Sequence, residues 1–152
     1  ALAAAGGNIQ DSTMTLLGGH FAMLLLVSAP GGPDGASAAL AGLTDDGRLS
    51  VDVRVVPATG EVTDPMAGDP YLLSVHGADR PGIVSALTSV VARAGGNVDD
   101  LTTRLVGGLY VLMAEVRMPA SVEVGRVEAE LRRTADELGV DVSLRRVEVD
   151  DL

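Results

Sequence analysis

The sequence predicts an α+β fold made of two βαββαβ units in tandem, the first of them incomplete. Three observations carry this reading. A gapless repeat links the two halves of the chain, strand-like and helix-like apolar spacings alternate through the second half, and glycines stand where hairpins and helix ends need them.

The repeat comes first. Gly6-Gly7-Asn8 recurs as Gly95-Gly96-Asn97, an offset of 97 − 8 = 89. The same offset pairs Asp11 with Asp100, Leu16 with Leu105, Gly18-Gly19 with Gly107-Gly108 and Pro30 with Pro119. Between residues 1–30 and 90–119, twelve of thirty positions are identical without a gap, which marks a duplication. Farther on, Leu49, Val51, Val53 and Arg54 match Val140, Val142, Leu144 and Arg145 at an offset of 91. The two-residue change falls after Pro30, where a loop absorbs it cheaply.

The second copy supplies every element in order. Tyr71–His76 is apolar and short, as a buried strand is. Gly77–Gly82 turns into a helix, with Asp79 and Pro81 suited to its cap and first turn. Ile83, Leu87, Val90, Val91 and Ala94 share one helical face, and Gly95 ends that helix. Asn97–Val106 and Leu109–Met118 are strands joined by a Gly107-Gly108 hairpin. A second helix spans about Val122 to Leu138, with Ser121 as its expected N-cap and Gly139 as its stop. Val140–Val149 closes the unit. In this ferredoxin-like order the first strand lies inside the sheet and the second at an edge.

Domain limits follow. Residues 1–57 form the N-terminal module, 58–70 a Pro- and Gly-containing linker and 71–152 the C-terminal module. Ser28–Ser37 reads as a loop within the first copy. The counterpart of Tyr71 falls at 71 − 89 = −18, so copy one lacks its first strand and most of its first helix. Unpaired neighbours of a missing internal strand cost about 1–3 kcal/mol per buried group, so an upstream or swapped strand is expected.

Composition narrows the function classes. Nearly half the residues are apolar but only Phe21, Tyr71 and Tyr110 are aromatic, so aliphatic side chains build the core. The absence of cysteine removes disulfides, thiolate metal sites and cysteine nucleophiles. A net charge of −10, with all eleven cations Arg, argues against direct nucleic-acid binding. The longest apolar run, Phe21–Val27, is far shorter than the roughly 20 residues of a membrane helix, so no membrane partner and a cytoplasmic location are expected. No nucleophile–base pair, metal motif or phosphate loop occurs, so neither catalysis nor a cofactor is expected.

The remaining polar residues read more simply as structure. His20 and His76 have nothing in sequence to bring them together. Asp99 and Asp100 are neighbours on a strand and point to opposite faces, so they are poorly placed to share an ion. Asp45-Asp46 and the acidic tail from Glu148 are solvated, and the five methionines fill core or linker rather than bind metal.

Gly77-Ala78-Asp79-Arg80-Pro81-Gly82-Ile83-Val84, with Ala94-Gly95-Gly96-Asn97-Val98, resembles the ACT domain signature, D-R-P-G followed by a G-x-N-[IV] start to strand two. Asp11–Met23 is similar to the same region of tandem-ACT proteins related to the glycine cleavage system transcriptional repressor. The resemblance implies a regulator that senses a small molecule, commonly an amino acid such as glycine or serine, between ACT modules. It places the site at Asp79 and Gly82 with Asn97, amid Gly77, Ala78, Arg80, Pro81, Ile83, Val98 and Asp99. The copy-one equivalents are Asn8, Ile9, Gln10 and Asp11. It further implies action through a partner protein, such as a transcription regulator. Strand two lies at a sheet edge, which invites pairing with a second sheet, so side-by-side association within the chain or as a homodimer is expected. An architectural ACT dimer without ligand, or a regulatory module serving an amino-acid metabolism enzyme, is the alternative.

Overall fold

The computed structural model describes residues 1–56 and 67–147, which cluster into two compact units, Ala1–Glu61 and Val62–Leu152. Expectations for residues 57–66 and for the acidic tail lie outside the described residues. Each unit is taken by itself below.

The second unit contains β3 (Asp69–Ala78), α2 (Ile83–Arg93), β4 (Asn97–Val106), β5 (Leu109–Met118), α3 (Val124–Leu138) and β6 (Val140–Arg146). Its four strands stand in the order β4-β5-β3-β6, all neighbours antiparallel. The opening strand β3 is therefore internal and β4 is an edge. Alternation explains the burial. Tyr71, Leu73 and Val75 of β3 face the helices together with Leu112, Ala114, Val116 and Met118 of β5, and all seven are buried. Helical spacing answers it: Ile83, Leu87, Val90 and Val91 of α2 and Val127, Leu131 and Ala135 of α3 are the buried residues of their helices. α2 packs on β4 and β5, whereas α3 packs on β6 and α2.

Boundaries differ from expectation where local geometry overrides the pattern. β3 starts two residues early, so Asp69 and Pro70 belong to a strand rather than to the linker, and the Pro70 carbonyl accepts from the Val147 N–H at 2.9 Å. α3 starts at Val124 with Glu123, not Ser121, at the N-cap position. A turn closed by the Val122 N–H on the Pro119 carbonyl, at 2.9 Å, delays the helix. β6 ends at Arg146 and Val147 lies outside it, while the expected continuation to Val149 falls outside the described residues. Gly95 and Gly139 end their helices as expected, both at positive φ.

The first unit consists of β1 (Asn8–Leu17), β2 (His20–Ser28) and α1 (Gly32–Leu40), with short 3₁₀ turns at Ala3–Ala5 and Ala41–Leu43. β1 and β2 form a two-stranded antiparallel ribbon. The helix begins inside the segment expected to be a loop, with Pro33 in its first turn, where a missing N–H costs nothing. Segment 49–56, the counterpart of β6, forms no strand. In the second unit β6 pairs only with β3. Met14, Leu16, Phe21 and Met23 are at least half exposed on the ribbon. Among the described residues no helix is long and apolar enough to cross a membrane.

Leu87 is fully buried at the centre of α2. Leu87→Ala is expected to destabilise the second unit by about 2–5 kcal/mol in chemical denaturation, through lost transfer energy and the cavity left behind.

Candidate functional site

The loop expected to hold a ligand leaves β3 at Ala78 and enters α2 at Ile83. Gly77 is obligatory for lack of space. A Cβ there would lie 2.8 Å from Val140 Cγ1 and 3.0 Å from Val140 Cα, where β3 runs against β6. Gly82 is obligatory for conformation, at φ 92° in the N-cap position. That backbone turn displaces Asp79 and Pro81 from the expected cap and first turn, and no side chain caps α2. Its first-turn N–H groups, which carry the positive end of the helix dipole, thus meet no side-chain acceptor of their own.

Two side chains of the loop have defined neighbours. The Arg80 guanidinium lies against Gly139, since a Cβ on that glycine would be 3.4 Å from Arg80 Cζ. It therefore sits at the C-terminus of α3, where a cation is favoured. Asp79 acts on Tyr110, the register partner of Gly77. Burial, helped by the Asp79 carboxylate, pushes the Tyr110 phenol above its ordinary value of 10.0, while a hydrogen bond with Thr103 pulls the other way.

Asn97 lies elsewhere. It opens β4 opposite Arg117, whereas Ala78 is opposite Leu109 at the far end of the same strand β5. Eight residues of β5 separate these levels, about 26 Å at strand rise. The sheet thus does not bring Asn97 beside the Asp79–Gly82 loop of its own module. The cause is topological. The α2 crossover carries the chain back along β3 before β4 begins, so the start of β4 and the end of β3 are at opposite ends.

Around Asn97 a second constellation appears. The β4–β5 register shifts between Val98 and Asp100, so Asp99 occupies a bulge. Asp99 Oδ1 accepts from Asn97 Nδ2 at 2.9 Å, and Asp99 Oδ2 accepts from Arg117 Nε at 2.7 Å. The Arg117–Asp99 pair is largely sheltered, with side chains 23% and 18% exposed. Beside it an open depression of about 330 Å³ is bordered by Thr88, Ser89 and Ala92 of α2 and by Gly96, Asn97 and Val98. The Thr88 and Ser89 hydroxyls donate back to the carbonyls of Val84 and Ser85, at 2.8 and 2.6 Å. Sequence reasoning did not single out Arg117, Thr88 or Ser89. The small residues at 88, 89 and 92 on the outer side of α2 were the available signal.

The copy-one equivalents repeat this geometry in part. β1 shifts register between Ile9 and Asp11, so Gln10 takes the bulge position that Asp99 takes in β4. Asn8 and Ile9 pair with Ser28 and Val27, and Asp11 Oδ1 accepts the Ser12 N–H at 2.7 Å. All four are exposed. His20 and His76 lie in separate units, and His76 Nε2 is 3.5 Å from Asp141 Oδ2. Among the described residues no three potential metal ligands come together.

Residues 69–145, half of the chain, match the ACT domain family. The chain belongs to the ACT domain family. The ACT module in the second unit is 37% identical over 79 residues to a UPF0237 protein of Methanopyrus kandleri, an alignment covering 51% of this chain and 88% of that protein. A UPF0237 protein of Pyrobaculum aerophilum is 32% identical over 79 residues, with the same coverage of both chains. Among solved structures, a protein of Galdieria sulphuraria described only as unknown superposes with TM-score 0.77 and 32% identity, covering 97% of this chain and 86% of that one. A protein provisionally named a glycine cleavage system transcriptional repressor superposes with TM-score 0.69 over 97% of this chain and 85% of its own. Its 18% identity is evidence of shared fold alone.

Two expectations test the ACT module's two ends. Asp79→Ala should lower the Tyr110 phenol, read as phenolate absorbance against pH. Because this phenol is raised in the folded state, its stabilising contribution is full below about pH 10 and lost as pH rises through the folded value. Asp99→Ala should cost about 1–3 kcal/mol in denaturant unfolding, since it leaves the sheltered Arg117 guanidinium without that carboxylate.

Proposed function

We propose that this chain is a non-catalytic regulator that senses an amino acid at a site shared between two ACT modules. The observation that carries the reading is the separation of the Asp79–Gly82 loop from Asn97 at opposite ends of one sheet. Asn97 opens the edge strand β4, the loop lies level with its far end one strand inward, and α2 covers that same half of the sheet. Antiparallel pairing of β4 with the β4 of a second copy brings the loop of one module to the Asn97 end of the other. A carboxylate then meets the first-turn N–H groups of α2, and Asp79 and Asn97 take the ammonium group from opposite sides. Binding only at the assembled pair favours that pairing over the separated modules, which is how occupancy would become a signal to a partner protein. The net charge of −10 fits a protein partner, such as a transcription regulator, better than DNA.

A second reading rests on the hydrogen bonds of Asn97 to Asp99 and Asp99 to Arg117. In it Asn97 is a fastening of the β4 bulge, and the ACT fold pairs sheets without a ligand.

A thermal-shift screen of the chain against the twenty amino acids, glycine and serine foremost, separates the two. A ligand at 100 times its Kd should add about 2.7 kcal/mol of stability. Asp79→Ala and Asn97→Ala should each abolish the shift, and an equal mixture of the two variants should regain part of it. Each mixed pair then holds one site with both residues intact. No shift with any amino acid at millimolar concentration would favour the architectural reading.

A further inference from the structure

The sheet of the second unit carries helices on one face only. Across the other face, three rows of side chains run over all four strands in register. The first row is Asp100, Glu115, Leu72 and Arg145, from β4 to β6. The middle row is Thr102, Met113, Ser74 and Ser143, and the third is Arg104, Val111, His76 and Asp141. These alternate with the buried residues facing the helices, and every charged member is exposed. Met113, near the centre, is 48% exposed.

The charges form a pattern. On β4 an acid in the first row is followed by a base in the third, and on β6 the order is reversed. Among the described residues Asp100, Glu115, Arg104 and Arg145 make no ion pair with any other side chain, and Asp141 has only His76, at 3.5 Å. Asp100 and Glu115 are direct register partners, a like-charge pairing that weakens the isolated module. Counting His76 as neutral, the face holds three acids against two bases. It is therefore close to balanced in a chain whose net charge is −10, so two copies repel little there.

We infer that this open face is a docking surface for a second copy of the chain, sheet against sheet. A two-fold axis lying in the face along the strands keeps the rows and exchanges the edges. Asp100 then meets the second copy's Arg145, and Arg104 meets its Asp141. The perpendicular axis in the face keeps the edges and exchanges the rows, so that Asp100 meets Arg104 and Arg145 meets Asp141. Either way the four corner charges find their opposites, Met113, Val111 and Leu72 lie on the two inner strands, and Glu115 faces Leu72 or Val111 of the second copy. Aligned packing of two twisted antiparallel sheets accommodates both arrangements. The footprint is about 19 Å by 20 Å per copy at ordinary strand spacings, which places the contact among weak, salt-sensitive interfaces.

The surface is separate from the β4 edge invoked for amino-acid sensing, and the test keeps them apart by working through β6. The full chain is followed by sedimentation velocity at low and high salt. Face pairing predicts an associated parent that dissociates with salt. Arg145→Asp opposes like charges under either axis and should weaken that association by about tenfold or more. Adding Asp100→Arg to Arg145→Asp should restore it if the axis runs along the strands. Adding Asp141→Arg instead should restore it if the axis runs across them. Rescue by one of these pairs, with folding checked by circular dichroism, establishes the surface. A parent monomeric at low salt, an Arg145→Asp chain that associates like the parent, or a loss that neither second substitution repairs would overturn it. An amino-acid thermal shift that survives in Arg145→Asp leaves the sensing reading standing whatever the outcome.

Discussion

Everything in the second unit hangs on β3 being paired on both sides. It lies between β5 and β6, and its inward residues Leu73 and Val75 are almost wholly buried against both helices. α2 and α3 cover the two halves of a sheet that β3 joins. Gly77 is the geometric expression of the same constraint, since the approach of β3 to β6 leaves no room for a side chain at that point. The first unit is the converse. Its β1–β2 ribbon repeats the β4–β5 hairpin in register and bulge and pairs with no third strand, and Met14, Leu16, Phe21 and Met23 are exposed on it.

The second unit was legible because its signals are redundant. Strand limits at Asn97–Val106 and Leu109–Met118 are set by flanking Gly96, Gly107, Gly108 and Pro119 and by period-two alternation, and the structure reproduces them. The helix starts were not legible. Ser121 and Asp79 are good capping residues by type, but a Pro119 turn and the left-handed Gly82 decided where the helices began. The closing strand of copy one was misleading for another reason. Leu49–Arg54 carries the right residues, yet a strand is a relation between two segments, and sequence similarity supplies only one of them.

The candidate site was legible as residues but not as a place. The D-R-P-G loop and Asn97 stand out in sequence, and only the register of β5 shows that they lie at opposite ends. Arg117 was invisible because nothing about an Arg in the last turn of an apolar strand announces a carboxylate eighteen residues earlier. A bulge joined them, and bulges leave little trace in composition.

That bulge has a consequence for how far assembly can go. An exposed edge strand is a template for open-ended strand addition, the start of a fibre. An extra residue near one end of β4 bends the edge and increases its twist, so the ladder available to an incoming strand is short. The sequence repeats the device at Gln10, which ties it to the architecture and not to one copy. An acid clasped in the bend, as Asp99 is by Arg117, also makes it costly to straighten. Such an edge can accept one partner over a limited length and then stops, protected from runaway polymerisation by a single surplus residue.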